Sequence, residues 1–254
     1  MFIIGAGRIG TALHQRATER GQPCTLVTRD EGWDLLGGRP GAPILVAVCN
    51  DDLDEVLARV PVHRRTDLVF IQNGMLRPWL RAVGLLLATR GLLYFAVPSR
   101  GAPIQPGGVS PFFGEHASEM VGWFTDLELE ARALDWARFC SRDLEKLIWI
   151  AAFGLLCEHL DTDVGGVCTK HFPELRSLVI ELRRVGRAAL GVDLPLDFLL
   201  NRLCTYSNAI PRYRGSVKDW DWRNGWLLEA ATQFRVSTPV HRELLHAIGK
   251  LDEP

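Results

Sequence analysis

Apolar positions fall into two regimes along the chain. In the first half they form short, nearly unbroken runs: Met1–Ile4, Pro23–Thr28, Pro43–Cys49, Asp67–Gln72 and Gly91–Val97. Runs of this kind, bounded by turn formers, predict strands buried on both faces of a parallel sheet. Between them Thr11–Ala17, Asp51–Val60 and Trp79–Leu87 read as helices, with Asp51 and Asp52 placed where acids favour a helix N-terminus. Alternating strands and helices imply right-handed βαβ units. Gly37–Pro43 reads as a loop, and Pro98–Gly114, rich in Gly, Pro and Ser, as a segment that could hold short strands closing the sheet. From about Ala117 the pattern turns helical, over Glu128–Ala133, Arg142–Leu160, Leu175–Leu190, Leu196–Ser207, Trp222–Thr232 and Pro239–Leu251.

The first strand runs into Gly5-Ala6-Gly7-Arg8-Ile9-Gly10, a G-x-G-x-x-G followed by helix-compatible residues. Strand, glycine turn and helix together give the motif its meaning. Gly5 permits the tight turn, Gly7 lets a pyrophosphate approach the backbone, and Gly10 lets helix and strand pack closely. Free N–H groups and the positive end of the helix dipole then face the phosphates. Gly5, Gly7, Arg8, Ile9 and Gly10 are therefore expected at a dinucleotide. A glycine turn with no ligand is the plain alternative. The expected fold is α/β, with an N-terminal Rossmann dinucleotide-binding domain over residues 1–125. An all-helical C-terminal domain for substrate and dimerisation follows over 126–254. Arg29 stands at the tip of the second strand with Asp30 just beyond it. An acid there would bind the ribose of NAD, whereas an arginine accommodates the 2′-phosphate of NADP, so NADPH/NADP⁺ is the expected cofactor. Asn73, at the end of the fourth strand, lies where ligands of such sheets sit.

The totals fit an ordinary globular protein of 254 residues, 47% hydrophobic and 23% charged. A net charge of −1 gives no general attraction to nucleic acid or to an acidic membrane. No uninterrupted apolar stretch is long enough for a membrane helix, and the first residues already read as a strand rather than a signal peptide. The six cysteines show no C-x-x-C and no metal-ligand spacing, and are expected reduced and buried in a cytoplasmic protein. His159 and His171 flank Cys168 without coordinating spacing, so no metal site is expected.

Lys146, in Asp143-Leu144-Glu145-Lys146-Leu147-Ile148-Trp149, leads into a strongly apolar helix. An ammonium at the mouth of such a pocket could lend a proton to a developing alkoxide, although most helical lysines are solvated. Ser207-Asn208 and Lys218-Asp219-Trp220-Asp221-Trp222-Arg223-Asn224-Gly225 form a second polar stretch. Its plain reading has Asp221 capping the following helix, with the tryptophans packed beneath it.

Taken in order, the glycine loop, Arg29, Ile71-Gln72-Asn73-Gly74-Met75, Glu145-Lys146-Leu147 and Asp219–Gly225 resemble the 2-dehydropantoate (ketopantoate) reductase family along almost the whole chain. The resemblance implies NADPH as hydride donor and reduction of a 2-oxo acid in a cleft. It implies that Lys146 is the general acid, Asn73 lies beside nicotinamide and substrate, Ser207 helps hold the substrate carboxylate, and Asp219 stands for a substrate-binding glutamate. Arg29 matches the arginine that binds the 2′-phosphate. Ile150 and Gly154 stand where the family usually has asparagines, and Cys49 where it has a lysine. The expected activity is thus NADPH-dependent reduction of a small 2-oxo acid or related carbonyl or imine compound other than ketopantoate. An opine-type dehydrogenase and a non-catalytic NADP-binding sensor or partner protein are the alternatives. The apolar helices of the second half leave room for a homodimer interface.

Overall fold

Strand β1 (Phe2–Ile4) leads through the glycine turn into helix α1 (Arg8–Glu19), and the chain returns as β2 (Thr25–Val27). β3 (Ile44–Val46), α2 (Leu53–Arg59), β4 (Leu68–Phe70), α3 (Arg77–Ala82) and β5 (Thr89–Gly91) follow. In this computed structural model, which describes residues 1–252, all these strands run parallel. Ile3 stands opposite Leu26 on one side and Leu45 on the other, and Leu45 stands opposite Val69. Every residue of β3 and β4 is buried, as expected of strands covered on both faces.

Two stretches depart from the expected elements. The run Gly91–Val97 contributes only Gly91 to the main sheet, because β5 lies earlier, over Thr-Arg-Gly. Its polar residues are held by specific partners: the Thr89 hydroxyl accepts from the His116 backbone N–H, and the Arg90 guanidinium lies over the Phe139 ring. Phe95–Ala96 (β6) instead pairs with Gln105–Pro106 (β7) in a separate ribbon. β8 (Ser110–Phe113) then joins β5 antiparallel. After α4 (Ala117–Asp126), the expected helix over Glu128–Ala133 is replaced by β9 (Ala131–Ala133), parallel to β8. Glu128 adopts a positive φ of 56°, which ends helical geometry and turns the chain back to the sheet edge. The final order is β2-β1-β3-β4-β5-β8-β9. α4 covers one face, with Phe124 set edge-on against Phe112 at 4.9 Å.

The first compact unit accordingly runs Met1–Phe139, past the expected break at 125/126. β9 belongs to its sheet, and the first turn of α5 (Trp136–His159) packs Trp136 and Phe139 on Phe113.

The unit beginning at Cys140 is helical. The rest of α5 is joined by α6 (Val164–Lys170), α7 (Phe172–Leu190), α8 (Leu196–Ala209), α9 (Asn224–Gln233) and α10 (Pro239–Ala247). α7 buries Leu175, Leu178, Val179, Leu182 and Val185, the i, i+3, i+4, i+7 stripe of an amphipathic helix. Its Gly186 lets it approach α5, since a β-carbon there would fall 2.5 Å from Leu144 Cδ1. No helix among the described residues is long and apolar enough to cross a membrane.

Candidate functional site

In the first unit the chain leaves β1 toward β2 on one side and resumes at β3 on the other. Such a reversal opens a crevice at the carboxyl ends of the two central strands. A cavity of about 700 Å³ occupies that place, lined by Gly5–Ile9 after β1, Thr28–Asp30 after β2 and Ala47–Cys49 after β3.

The glycines shape it. Gly5 has φ +110°, and a β-carbon there would lie 2.7 Å from the Ala47 carbonyl oxygen. A β-carbon at Gly10 would lie 1.9 Å from the Gly5 carbonyl oxygen. α1 therefore starts directly against the strand, with Gly7 extended at its N-cap and no side chain capping the first turn. Its free N–H groups suit a diphosphate. Arg8 donates to the Pro98 carbonyl oxygen.

At the far end of the cavity Arg29 is exposed and makes a loose ion pair with Asp52 at 3.6 Å. Sequence reasoning missed two neighbours. Arg59, from the last turn of α2, lies 4.0 Å over the Trp33 ring and donates to the Arg29 carbonyl oxygen at 2.7 Å. Trp33 Nε1 donates to the Thr28 carbonyl oxygen. Two guanidinium groups and an indole thus surround the tip of β2. Cys49 brings no cation to this wall, and Arg59 does. Glu55 lies 3.7 Å from Arg59, so acids also border the site. Arg59 stands far along the chain from the glycine motif, beyond β2 and β3, and carried no sequence signal of this kind.

Asn73 is half-buried beyond the end of β4 and is not among the residues lining this cavity. Its carbonyl oxygen accepts from Asn50 Nδ2 at 2.9 Å, and Gly74 turns the chain with φ +96°. Gln72 ties the strand ends together by donating to Val46 and Val48.

In the helical unit Lys146 is half-buried on α5. The preceding residue fixes that stretch of helix: Glu145 accepts two bonds from Arg202 of α8, at 2.6 and 2.8 Å, and another from Arg142. Burial pushes the Glu145 carboxyl upward, partly offset by Arg142. One turn beyond Lys146, Trp149 sits among Phe153, Tyr206 and Tyr213.

Ser207 is fully buried on α8. Its hydroxyl accepts from Trp149 Nε1 and donates to Leu203, both at 2.9 Å, so it is engaged inside the unit. Asp219 is exposed, adopts φ +47° and pairs with Arg223 of the same turn. Asp221 does not cap α9, whose N-cap is Arg223, with no side-chain cap bond. Trp220 does pack at the helix start, where a β-carbon on Gly225 would lie 2.6 Å from its Nε1. Gly154 has a structural cause as well. A β-carbon there would lie 2.8 Å from the Ser216 carbonyl oxygen, because the 213–217 segment presses its backbone onto α5.

All six cysteines are free, and only Cys140 and Cys157 are buried, fewer than expected. Among the described residues no group of three or more His, Cys, Asp or Glu side chains is arranged to hold a metal ion.

No protein-family model and no curated protein matches the sequence. The structure has extensive likenesses. A 2-dehydropantoate 2-reductase from Geobacter metallireducens matches with a TM-score of 0.77 at 14% identity, over 98% of this chain and 99% of the other. The chain has the ketopantoate reductase fold. A dimeric ketopantoate reductase from Staphylococcus aureus matches at 0.75 and 14%, over 98% of each chain. D-Mandelate dehydrogenase in a ternary complex with NADH and anilino(oxo)acetate matches at 0.76 and 12%, over 98% of this chain and 97% of that one. At this identity the ketopantoate reductase fold is shared while side chains are free to differ.

Proposed function

We propose that the chain is an NADPH-dependent reductase of a small 2-oxo acid, or of a related carbonyl or imine compound, with a pocket altered from that for ketopantoate. The observation that carries this reading is the cavity at the β1/β3 reversal, where Gly5 and Gly10 admit no side chain and two arginines stand at the far end. Its residues fit a dinucleotide: α1 N–H groups for the diphosphate, Trp33 and Arg59 for the adenosine end, and Arg29 with Arg59 for a 2′-phosphate. The exposed Arg29–Asp52 pair is weak and yields to a phosphate.

NADPH, when bound, supplies the hydride. Lys146 supplies the proton to the substrate oxygen or nitrogen, and Asn73 and Asp219 orient the reacting groups. Ser207 is assigned to the substrate side only through Trp149, which its hydroxyl holds. The apolar Ile150 and the missing side chain at Gly154 remove two hydrogen-bonding positions and favour a substrate less polar than ketopantoate. The dimeric ketopantoate reductase of the same fold supports a homodimer, and free cysteines agree with a cytoplasmic setting.

The test is a fluorescence titration of the purified protein with NADPH and NADH, followed by nucleotide consumption with a panel of 2-oxo acids and imines. Tight NADPH binding with turnover of a 2-oxo acid other than ketopantoate is expected. Absence of binding to either nucleotide sinks the proposal. Binding with no consumption across the panel replaces it with the non-catalytic sensor.

A further inference from the structure

The chain from Phe95 to Pro106 stands apart from the main sheet, and the reductase reading leaves it unused. It is a two-stranded ribbon of β6 with β7. Its base is fastened to the core, where Val97 is buried and the Phe95 ring lies 6.3 Å from that of Phe124. Its tip is exposed from Pro98 to Gly101. There the Ala102 N–H donates to the Ser99 carbonyl oxygen at 3.1 Å, and Gly101 takes φ +82°. A positive φ is what the third place of a type II turn requires. Arg100 holds the second place and lines the cavity at the β1/β3 reversal.

We propose that Arg100, together with Arg8, grips the diphosphate of the bound dinucleotide, so that the β6–β7 ribbon is a clamp on the cofactor. The inference rests on the dinucleotide site of the proposed reductase and adds a second element to it.

Charge is divided between the ends of the cavity. At the β2 end each arginine already faces an acid, Arg29 with Asp52 and Arg59 with Glu55, and Asp30 stands among them. At the other end, the lining residues from the glycine turn and from the ribbon include no acid, and neither does the first turn of α1. Among the described residues Arg8 and Arg100 have no ion-pair partner. Two guanidinium groups beside unbonded helix N–H groups call for an anion, and a diphosphate brings charge enough for both.

The ribbon is also tied to the right place. Arg8 Nη1 donates to the Pro98 carbonyl oxygen at 3.4 Å, which sets the turn carrying Arg100 against the start of α1. Arg8 spends one donor on this bond, and its planar fork keeps others for an anion. A ribbon paired only through Phe95–Pro106 and Ala96–Gln105 has little stability of its own. An anion shared between Arg8 and Arg100 therefore holds the tip in place.

The experiment compares the full-length parent with Arg100→Ala, titrating NADPH, NADH and adenosine 2′-phosphate and following limited trypsin digestion by mass spectrometry. Both dinucleotides carry the diphosphate, so Arg100→Ala should weaken NADPH and NADH by the same factor, about tenfold. Adenosine 2′-phosphate lacks the diphosphate and should bind the two proteins equally. Arg100→Lys, which keeps the charge, should recover part of the affinity. In the parent, either dinucleotide should slow cleavage of the exposed Arg100–Gly101 bond, and adenosine 2′-phosphate should not. Unchanged affinity in Arg100→Ala, a loss confined to NADPH, or cleavage that neither dinucleotide slows overturns the proposal. A parent that binds both dinucleotides while Arg100→Ala matches it removes the clamp alone. A parent that binds neither removes the cofactor reading and the clamp with it.

Discussion

The indole Nε1 of Trp149 donates to the Ser207 hydroxyl at 2.9 Å, and that hydroxyl donates in turn to the Leu203 carbonyl oxygen. A fully buried serine with both partners inside the protein is a positioning residue for Trp149. Ser207→Ala strands the indole N–H, at a cost of about 1–3 kcal/mol. Thermal unfolding of Ser207→Ala should therefore begin at lower temperature, with NADPH affinity unchanged. An unaltered melting curve with a large rise in KM would instead make Ser207 a direct substrate contact.

Gly10→Ala tests the glycine turn. Its new methyl group would lie 1.9 Å from the Gly5 carbonyl oxygen, a backbone atom that cannot rotate away, so α1 must shift. NADPH affinity should drop at least about tenfold, corresponding to about 1.4 kcal/mol, read by fluorescence titration. Gly7→Ala is the informative comparison. A β-carbon there meets only the Ala47 carbonyl oxygen at 3.8 Å, so the fold should persist, and any lost affinity reports the space needed by the ligand.

These glycines were legible because each answers a local geometric demand that sequence spacing displays. So were β3 and β4, whose unbroken apolar runs match complete burial. β5 was hidden because Thr89 and Arg90 look like loop residues. Their burial depends on partners far away in sequence, among them His116 and the Phe139 ring. Glu128–Ala133 carried no sign of the positive φ that breaks it. In the site, Arg29 follows from its place after a strand, but Arg59 reaches the same cavity from the end of α2. Gly154 illustrates the same limit: its reason is the backbone at Ser216, which periodicity does not report.

Arg59 and Arg29 should set the preference for NADPH over NADH together. Arg59→Ala and Arg29→Ala are each expected to weaken NADPH by about tenfold while leaving NADH nearly unchanged, because charge-assisted bonds reach only the extra phosphate. Asp52→Asn should do the opposite, since it releases Arg29 and removes a negative charge from a site for a dianion. Titrations at low and high salt check this, and the gain should shrink as salt rises. Equal losses for both nucleotides in Arg59→Ala would confine Arg59 to the adenine, through its place on Trp33.

Lys146→Ala should lower kcat by about 10²–10⁴ and leave the NADPH dissociation constant where it was. Lys146→Arg should not restore turnover, because a guanidinium keeps its charge but does not release its proton at neutral pH. Single-turnover oxidation of NADPH, followed by absorbance, separates the steps. A variant that still reduces substrate at the parent rate removes Lys146 from the chemistry.

His241 gives the helical unit a pH dependence with a definite sign. It is fully buried, its Nε2 bonded to Asn224 Oδ1 at 2.9 Å, and its backbone N–H donates to Glu181. Burial, reinforced by Arg242, lowers its pKa from 6.5 to about 3. The folded protein thus keeps His241 neutral over an interval in which the unfolded chain binds a proton. The unfolded state gains protons there, so stability rises with pH, by up to about 1.4 kcal/mol per unit. This contribution is complete above pH 6.5 and is lost progressively as the pH falls toward about 3. The melting temperature of the parent protein should fall between pH 7 and pH 4, whereas His241→Gln, less stable at neutral pH, should show a shallower slope. Parallel slopes for the two proteins would place the acid sensitivity in other groups.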